Sequence, residues 1–192
     1  MWYHANGVDE SNVHVPYKPK SKGLGNSQVL PRDYVKQQEI ELVLSEMAEQ
    51  VAIRLRAIRK KTTTVSISIG YSRFEESTSF RGQMKTEPTN QTEELQKYVI
   101  SLFRKKYNGG AVRSISVFYS SFVDENITML SLFDDPEEIL KKERLQTAID
   151  AIRSQFGFTT LQKANSLTSA SRSIARSKLV GGHSAGGLDG LK

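Results

Sequence analysis

The sequence predicts an α+β fold, a four-stranded, mostly antiparallel sheet with two helices on one face, followed by a C-terminal helix and a flexible tail. Two observations carry this. Along two long stretches apolar residues recur at spacings of three and four, the mark of a one-sided helix, and along three shorter ones they alternate with polar residues, the mark of a half-buried strand. In chain order the elements run strand, helix, strand, strand, helix, strand, which layers both helices on one side of the sheet.

The first strand falls within Lys22–Leu30, a stretch rich in Gly, Asn, Ser and Gln whose inward parity is not readable. It is assigned because a sheet of three strands would leave an open edge. The first helix runs from Tyr34 to about Lys60, with Ile40, Val43, Leu44, Met47, Val51, Leu55 and Ile58 as its stripe and Asp33 as its N-cap. Lys60 and Lys61 end it, where the helix dipole favours cations. Next comes Thr64–Ser72, in which Val65, Ile67, Ile69 and Tyr71 share one face and Ser66, Ser68, Gly70 and Ser72 the other. In Ser79–Lys85, Phe80 and Met84 oppose Arg81, Gln83 and Lys85. The second helix spans about Gln91 to Tyr107, with Asn90 and Glu93 spaced as a capping pair, Leu95, Val99, Leu102 and Phe103 inward, and Gly109-Gly110 as its stop. In Val112–Tyr119, Ile115, Val117 and Tyr119 face the helices and Ser114 and Ser116 face away, with Phe118 an apolar exception on the outer face. Arg113 has core parity and points outward only where the strand begins irregularly.

The sheet thus shows the helices an apolar face and turns away a face of Ser, Arg, Gln and Lys. Any half-buried antiparallel sheet has a polar solvated face. Short hydroxyl and cationic side chains on a flat sheet are equally the usual donors to nucleic-acid phosphates. Aromatic residues are few there, which argues against the base-stacking platforms of single-strand binders.

Charge sharpens the second reading. The net charge is +6, and residues 18–123 carry 18 Lys and Arg against 10 Asp and Glu, residues 124–150 carry 3 against 8, and residues 151–192 carry 6 against 1. A basic body, an acidic joint and a basic tail follow, and a basic body attracts polyanions. With no cysteine, disulfide frameworks and thiolate metal sites are excluded. No apolar run is long enough to span a bilayer and the N-terminus has no signal-peptide pattern, so the expectation is a soluble, cytoplasmic protein with no membrane partner. The acidic pairs Asp9-Glu10, Glu75-Glu76, Glu93-Glu94, Asp134-Asp135 and Glu137-Glu138 fall in loops or helix starts, where dipole and solubility roles suffice, and the three His residues form no ligand spacing.

The stretch KSKGLGNSQVLPRDY (Lys20–Tyr34), the helix containing MAEQVAIRLR, VSISIGYSRF (Val65–Phe74), VRSISVFYSSF (Val112–Phe122) and GGH (Gly181–His183) together resemble the little finger of Y-family, damage-bypass DNA polymerases of the UmuC/ImpB/MucB/SamB type, Gram-positive UV-resistance branch. The opening WYHANGVD resembles the end of the thumb, so residues 1–17 correspond to thumb end and tether, 18–123 to the little finger, 124–135 to an acidic linker, 136–165 to a helical extension and 166–192 to a disordered basic tail.

The resemblance implies a module that grips the backbone of template–primer duplex DNA. It matches Lys20, Lys22 and Ser27 on the tether and first strand, Ser66, Ser68, Arg73, Arg81, Gln83 and Lys85 around the second and third, and Arg113, Ser114 and Ser116 at the start of the last, with Arg81 and Arg113 foremost. Further Arg residues common in the family's last strand are Ser114 and Phe118 here. Polymerase catalysis needs palm carboxylates holding two magnesium ions, and the palm motifs occur nowhere in this sequence, so no cofactor and no catalytic residue are expected in it. SOS regulatory proteins are further partners that the resemblance implies.

Within the acidic joint, Met129, Leu130, Ser131, Leu132 and Phe133 would leave three large apolar side chains wet in a solvated linker. The segment resembles the sliding-clamp-binding peptide of bacterial polymerases, with Met129 in place of the usual Gln; the other reading folds it back on the body or the next helix. That helix begins at Asp135-Pro136 with an acidic first turn, carries Leu145, Ala148, Ile149, Ile152 and Phe156 as its stripe, and stops at Gly157. Two readings from different classes stand: a DNA-grip module of a bypass polymerase, or a protein-recruitment module with only weak DNA binding. A general RNA- or single-strand-binding domain is a third, disfavoured by the aromatic-poor face.

Overall fold

The computed structural model describes residues 2–8, 23–76, 79–126, 135–180 and 183–184. A short helix α1 (Trp2–Ala5) is followed by β1 (Gly23–Tyr34), α2 (Gln37–Ala57), β2 (Lys60–Tyr71), β3 (Phe80–Thr89), α3 (Thr92–Lys106), β4 (Val112–Asp124) and α4 (Pro136–Phe156), then α5 (Ser173–Ser177) and a two-residue pair, β5 (Leu179–Val180) and β6 (His183–Ser184). The four long strands form one sheet in the order β1-β4-β2-β3, every neighbouring pair antiparallel. The expected order of elements and the α+β class are those observed.

Both helices lie on one face of this sheet. Val65, Ile67 and Ile69 of β2 and Ile115, Val117 and Tyr119 of β4 are buried against Ile40, Val43, Leu44, Met47, Val51 and Leu55 of α2 and Leu95, Val99, Leu102 and Phe103 of α3. Each such side chain contributes roughly 1.5–3 kcal/mol by leaving water, and polar contacts fix the layers' positions. The Tyr119 hydroxyl donates to the Ala48 carbonyl (3.0 Å), Gln96 Nε2 to the Ser45 carbonyl (2.9 Å), and Arg104 to both Glu41 oxygens (2.8 and 2.6 Å). Pro31 and Pro88 sit in the edge strands β1 and β3, where a missing N–H leaves no gap in the ladder.

Several boundaries differ from the sequence reading. Tyr34 pairs with Val112 as the end of β1, so α2 begins at Gln37, and Asp33 does not cap it but accepts from the Ser72 hydroxyl at 2.8 Å. Ser72 is correspondingly buried, not on the open face. Helix α2 ends at Ala57 because Arg59 turns into the left-handed region (φ 53°) and sends the chain back, which puts Lys60 and Lys61 at the start of β2 instead of on the helix. Gln91, without a side-chain cap, precedes α3; Asn90 instead donates to Glu125 (3.2 Å).

The C-terminal part docks on α2 and along β1, mainly with polar contacts. Arg56 pairs with Asp150 (2.5 and 3.0 Å), Arg153 with Glu49 (2.9 Å), the Ser171 hydroxyl and Arg172 N–H both donate to Glu46 (2.5 and 2.8 Å), and Arg176 reaches Gln28 and Asn26 of β1 (3.0 and 2.5 Å). The expected stripe of α4 is therefore not its docked face: Leu145, Ile152 and Phe156 are 61%, 39% and 63% exposed. The outer side of α2 offers Glu46, Glu49 and Arg56, and α4 answers with Asp150 and Arg153. Residues 166–178, expected in a disordered tail, include the end of a 3-10 turn (Ala164–Leu167) and α5, held by these bonds and by Tyr34 donating to the Ala170 carbonyl (3.0 Å).

Candidate nucleic-acid interface

Antiparallel pairing assembles the outward residues of four strands into rows. Ser27 of β1 pairs with Ser116 of β4, Ser116 with Ser68 of β2, and Ser68 with Arg81 of β3. In the neighbouring row Gly25 pairs with Phe118, Phe118 with Ser66, and Ser66 with Gln83. Next to it stand Gly23, Ser120, Thr64 and Lys85, and on the other side Val29, Ser114 and Gly70. Ser27, Ser66, Ser68, Arg81, Gln83, Lys85, Ser114 and Ser116 thus come together on one face, which the core does not use.

The face is flat because its side chains are short and glycines make room for the larger ones. A Cβ at Gly70 would stand 2.2 Å from the Ser114 hydroxyl, and Cβ atoms at Gly23 and Gly25 would stand 2.2 and 2.4 Å from Phe118 ring carbons. The Ser116 hydroxyl donates to the Ser27 hydroxyl (2.8 Å), tying β4 to β1 on the outer side. Arg81, Gln83 and Lys85 are exposed on edge strand β3, and among the described residues neither cation is in an ion pair; Glu87 follows at the same parity. Lys106 donates to the Arg81 carbonyl (2.6 Å), fixing the strand and not the guanidinium. Ser66, Ser68, Arg81, Gln83, Ser116 and Phe118 line a depression of about 380 Å³ at the centre of the face.

Arg113 and Arg73 stand at one end. Gly70 pairs with Ser114 but Tyr71 with Val112, so Arg113 is the extra residue of a β-bulge. This is the irregular start on which its outward direction depended. Its guanidinium lies 3.5 Å from Asp33, which offsets part of its charge. Arg73 follows β2 in a turn, its guanidinium 4.7 Å from the centre of the exposed Phe74 ring. Lys20, Lys22 and Met129–Phe133 lie outside the described residues. The sequence reading did not include Gly23, Gly25 and Phe118 in the site; the signal for them is the pair of alternate glycines that opens the first strand, which makes room only once Phe118 is known to lie opposite.

Three acidic groups of α2 lie away from this face. Glu41, Glu46 and Glu49 lie on α2, each engaged by Arg or Ser side chains. Burial holds the Glu46 carboxyl above the usual carboxylate range, despite the donors from Ser171 and Arg172, whereas hydrogen bonds from Arg104 hold Glu41 below it. Among the described residues no three His, Cys, Asp or Glu side chains gather in a group able to hold a metal ion, and no helix is long and apolar enough to cross a membrane.

Residues 21–132 match the impB/mucB/samB family C-terminal domain. Over 184 residues, 95% of this chain, it is 38% identical to the putative UV-damage repair protein UvrX of Bacillus subtilis and covers 44% of that protein. It is 34% identical, again over 184 residues and 44% of the relative, to DNA polymerase IV 2 of Halalkalibacterium halodurans. A shorter match, 40% over 110 residues, covers 57% of this chain and 51% of the DNA repair protein homolog YobH of Bacillus subtilis. The chain therefore spans about half the length of the curated relatives it matches.

Proposed function

The chain belongs to the impB/mucB/samB family, of which it carries the C-terminal domain, and from that premise we propose that its open sheet face grips the backbone of template–primer duplex DNA for a damage-bypass polymerase. The observation that carries this is the row Ser27–Ser116–Ser68–Arg81, hydroxyls leading across four strands to a cation with no acidic partner among the described residues. Hydroxyls and guanidinium groups are the usual phosphate donors, and contacts to phosphate carry no sequence information, so a grip made through them is indifferent to sequence, as travel along any template requires. The distribution of charge supports the same reading: Glu46 and Glu49 of α2 are engaged by the C-terminal extension, whereas Arg81 and Lys85, exposed on β3, have no acidic partner among the described residues. Catalysis belongs to the parts of the relatives' length that this chain does not match.

The test is duplex binding by fluorescence anisotropy across a salt series. Affinity is expected to fall steeply with salt, equally for unrelated sequences; a slope near zero would refute the grip. Recruitment of the bacterial sliding clamp through Met129–Phe133 is a second contact in this proposal and rests on sequence resemblance. A peptide of residues 126–136 should bind the clamp with micromolar affinity in calorimetry. The apolar side of α4, which faces solvent, favours the alternative of a recruitment module with weak DNA binding; firm clamp binding beside negligible duplex binding would select it.

A further inference from the structure

Cations and hydroxyls account for most of the open face, but not for Phe118. Its ring stands in the middle of that face and is 44% exposed, so burial within the domain repays only part of its cost. Nevertheless β1 is cut away to hold it. With glycines at 23 and 25, two successive outward positions are without side chains, and any Cβ there would overlap the ring. Glycine inside a strand weakens it and commonly marks a close approach by another group. Here the ring lies across the β1 backbone, one side on the strand and the other open. Phe118 also borders the same depression as Ser66, Ser68 and Arg81.

We propose that this depression seats one deoxyribose–phosphate unit of the duplex backbone, the phosphate held by Arg81 with the hydroxyls of Ser66 and Ser68 and the sugar packed on the open side of Phe118. The inference rests on the reading of the sheet as the DNA surface and adds a ligand geometry to it. A backbone unit has two ends of opposite character, an anionic phosphate and a sugar with a largely C–H surface, and the depression offers a matching end to each. Its volume of about 380 Å³ is room enough for one such unit.

The experiment measures duplex DNA binding by the full chain and its variants Phe118→Ala, Phe118→Leu and Arg81→Ala at several salt concentrations, with thermal melts to confirm folding. Phe118→Ala should weaken binding by roughly threefold to tenfold, and by the same factor at every salt, because an apolar contact is lost and no counterion release changes. Phe118→Leu should recover part of the loss, and it serves in place of Phe118→Ala if the latter fails to fold. Arg81→Ala should weaken binding and flatten the logarithmic salt slope by about one. Unchanged or tighter binding by Phe118→Ala, or a flattened slope in it, would overturn the sugar seat; a flattened slope in Arg81→Ala would still leave the sheet as the DNA surface. If Arg81→Ala and Phe118→Ala both leave affinity and slope unchanged, the reading of the sheet falls as well.

Discussion

Arg153 of α4 donates to Glu49 of α2 at 2.9 Å, with the two side chains only 7% and 12% exposed. The same guanidinium donates to the Leu161 carbonyl through two nitrogens (3.0 and 2.9 Å) and lies 4.8 Å from the centre of the Phe158 ring. One side chain therefore ties the end of α4, the turn after it and α2 together. Arg153→Ala would leave the Glu49 charge buried with Lys163 at 3.7 Å as its remaining partner, at a cost of about 2–4 kcal/mol in docking of the extension. Hydrogen exchange should speed up across residues 146–177 and stay unchanged in β4. Unaltered exchange in α4 would show that the pair does not hold the extension.

Glu46 should give the docked extension a pH dependence of its own. Burial, with a further push from Glu49, raises its pKa above the ordinary 4.5, and Ser171 and Arg172 donors only partly offset this. With the extension undocked the carboxyl returns towards the ordinary value, so docking takes up a proton. Stability from this site is complete below the ordinary pKa and declines as pH rises through the raised one. Glu41 runs the other way: Arg104 lowers its pKa, so the contribution of that pair is present above the ordinary value and lost as pH falls through the lowered one. In an NMR titration the Arg172 amide, which donates to Glu46, should report a midpoint above 4.5. A midpoint at or below that value would contradict the assignment.

Arg81 and Arg113 should not be equivalent on DNA. Asp33 lies 3.5 Å from the Arg113 guanidinium, and Ser72 donates to its other oxygen, while Arg81 has no acidic partner among the described residues. Arg113→Ala should therefore cost less affinity than Arg81→Ala, and Asp33→Asn, by removing an anion from the surface, should tighten binding by roughly twofold to fivefold. Anisotropy at fixed salt decides this; equal losses from the two arginines with no gain from Asp33→Asn would show that the pair does not mute Arg113.

What the sequence made legible followed from strict local periods. Val65, Ile67 and Ile69 against Ser66 and Ser68 specify both a strand and its faces, and Ile40 to Leu55 specify a helix, because each period has one geometric reading. Strand β1 lacked that signal because Gly23 and Gly25 answer to Phe118, a residue on a strand far along the chain. Arg113 broke parity through a bulge, which depends on pairing with Tyr71 and Tyr34 and not on its neighbours in sequence. The apolar stripe of α4 misled for a related reason. Periodicity shows that a helix has an apolar side, not that the surface receiving it is apolar, and the outer side of α2 is charged. Ser171, Arg172 and Arg176 showed no period because each bonds a residue more than a hundred positions away.

Whether the open sheet face and no other surface receives the duplex can be read by titrating template–primer DNA into the isotopically labelled chain and following backbone amide shifts. The largest changes are expected on Ser66, Ser68, Arg81, Gln83, Ser116 and Phe118, with α2 and α3 undisturbed. Changes confined to the helices or to Arg172–Lys178, with the β2, β3 and β4 amides unmoved, would contradict this placement of the duplex.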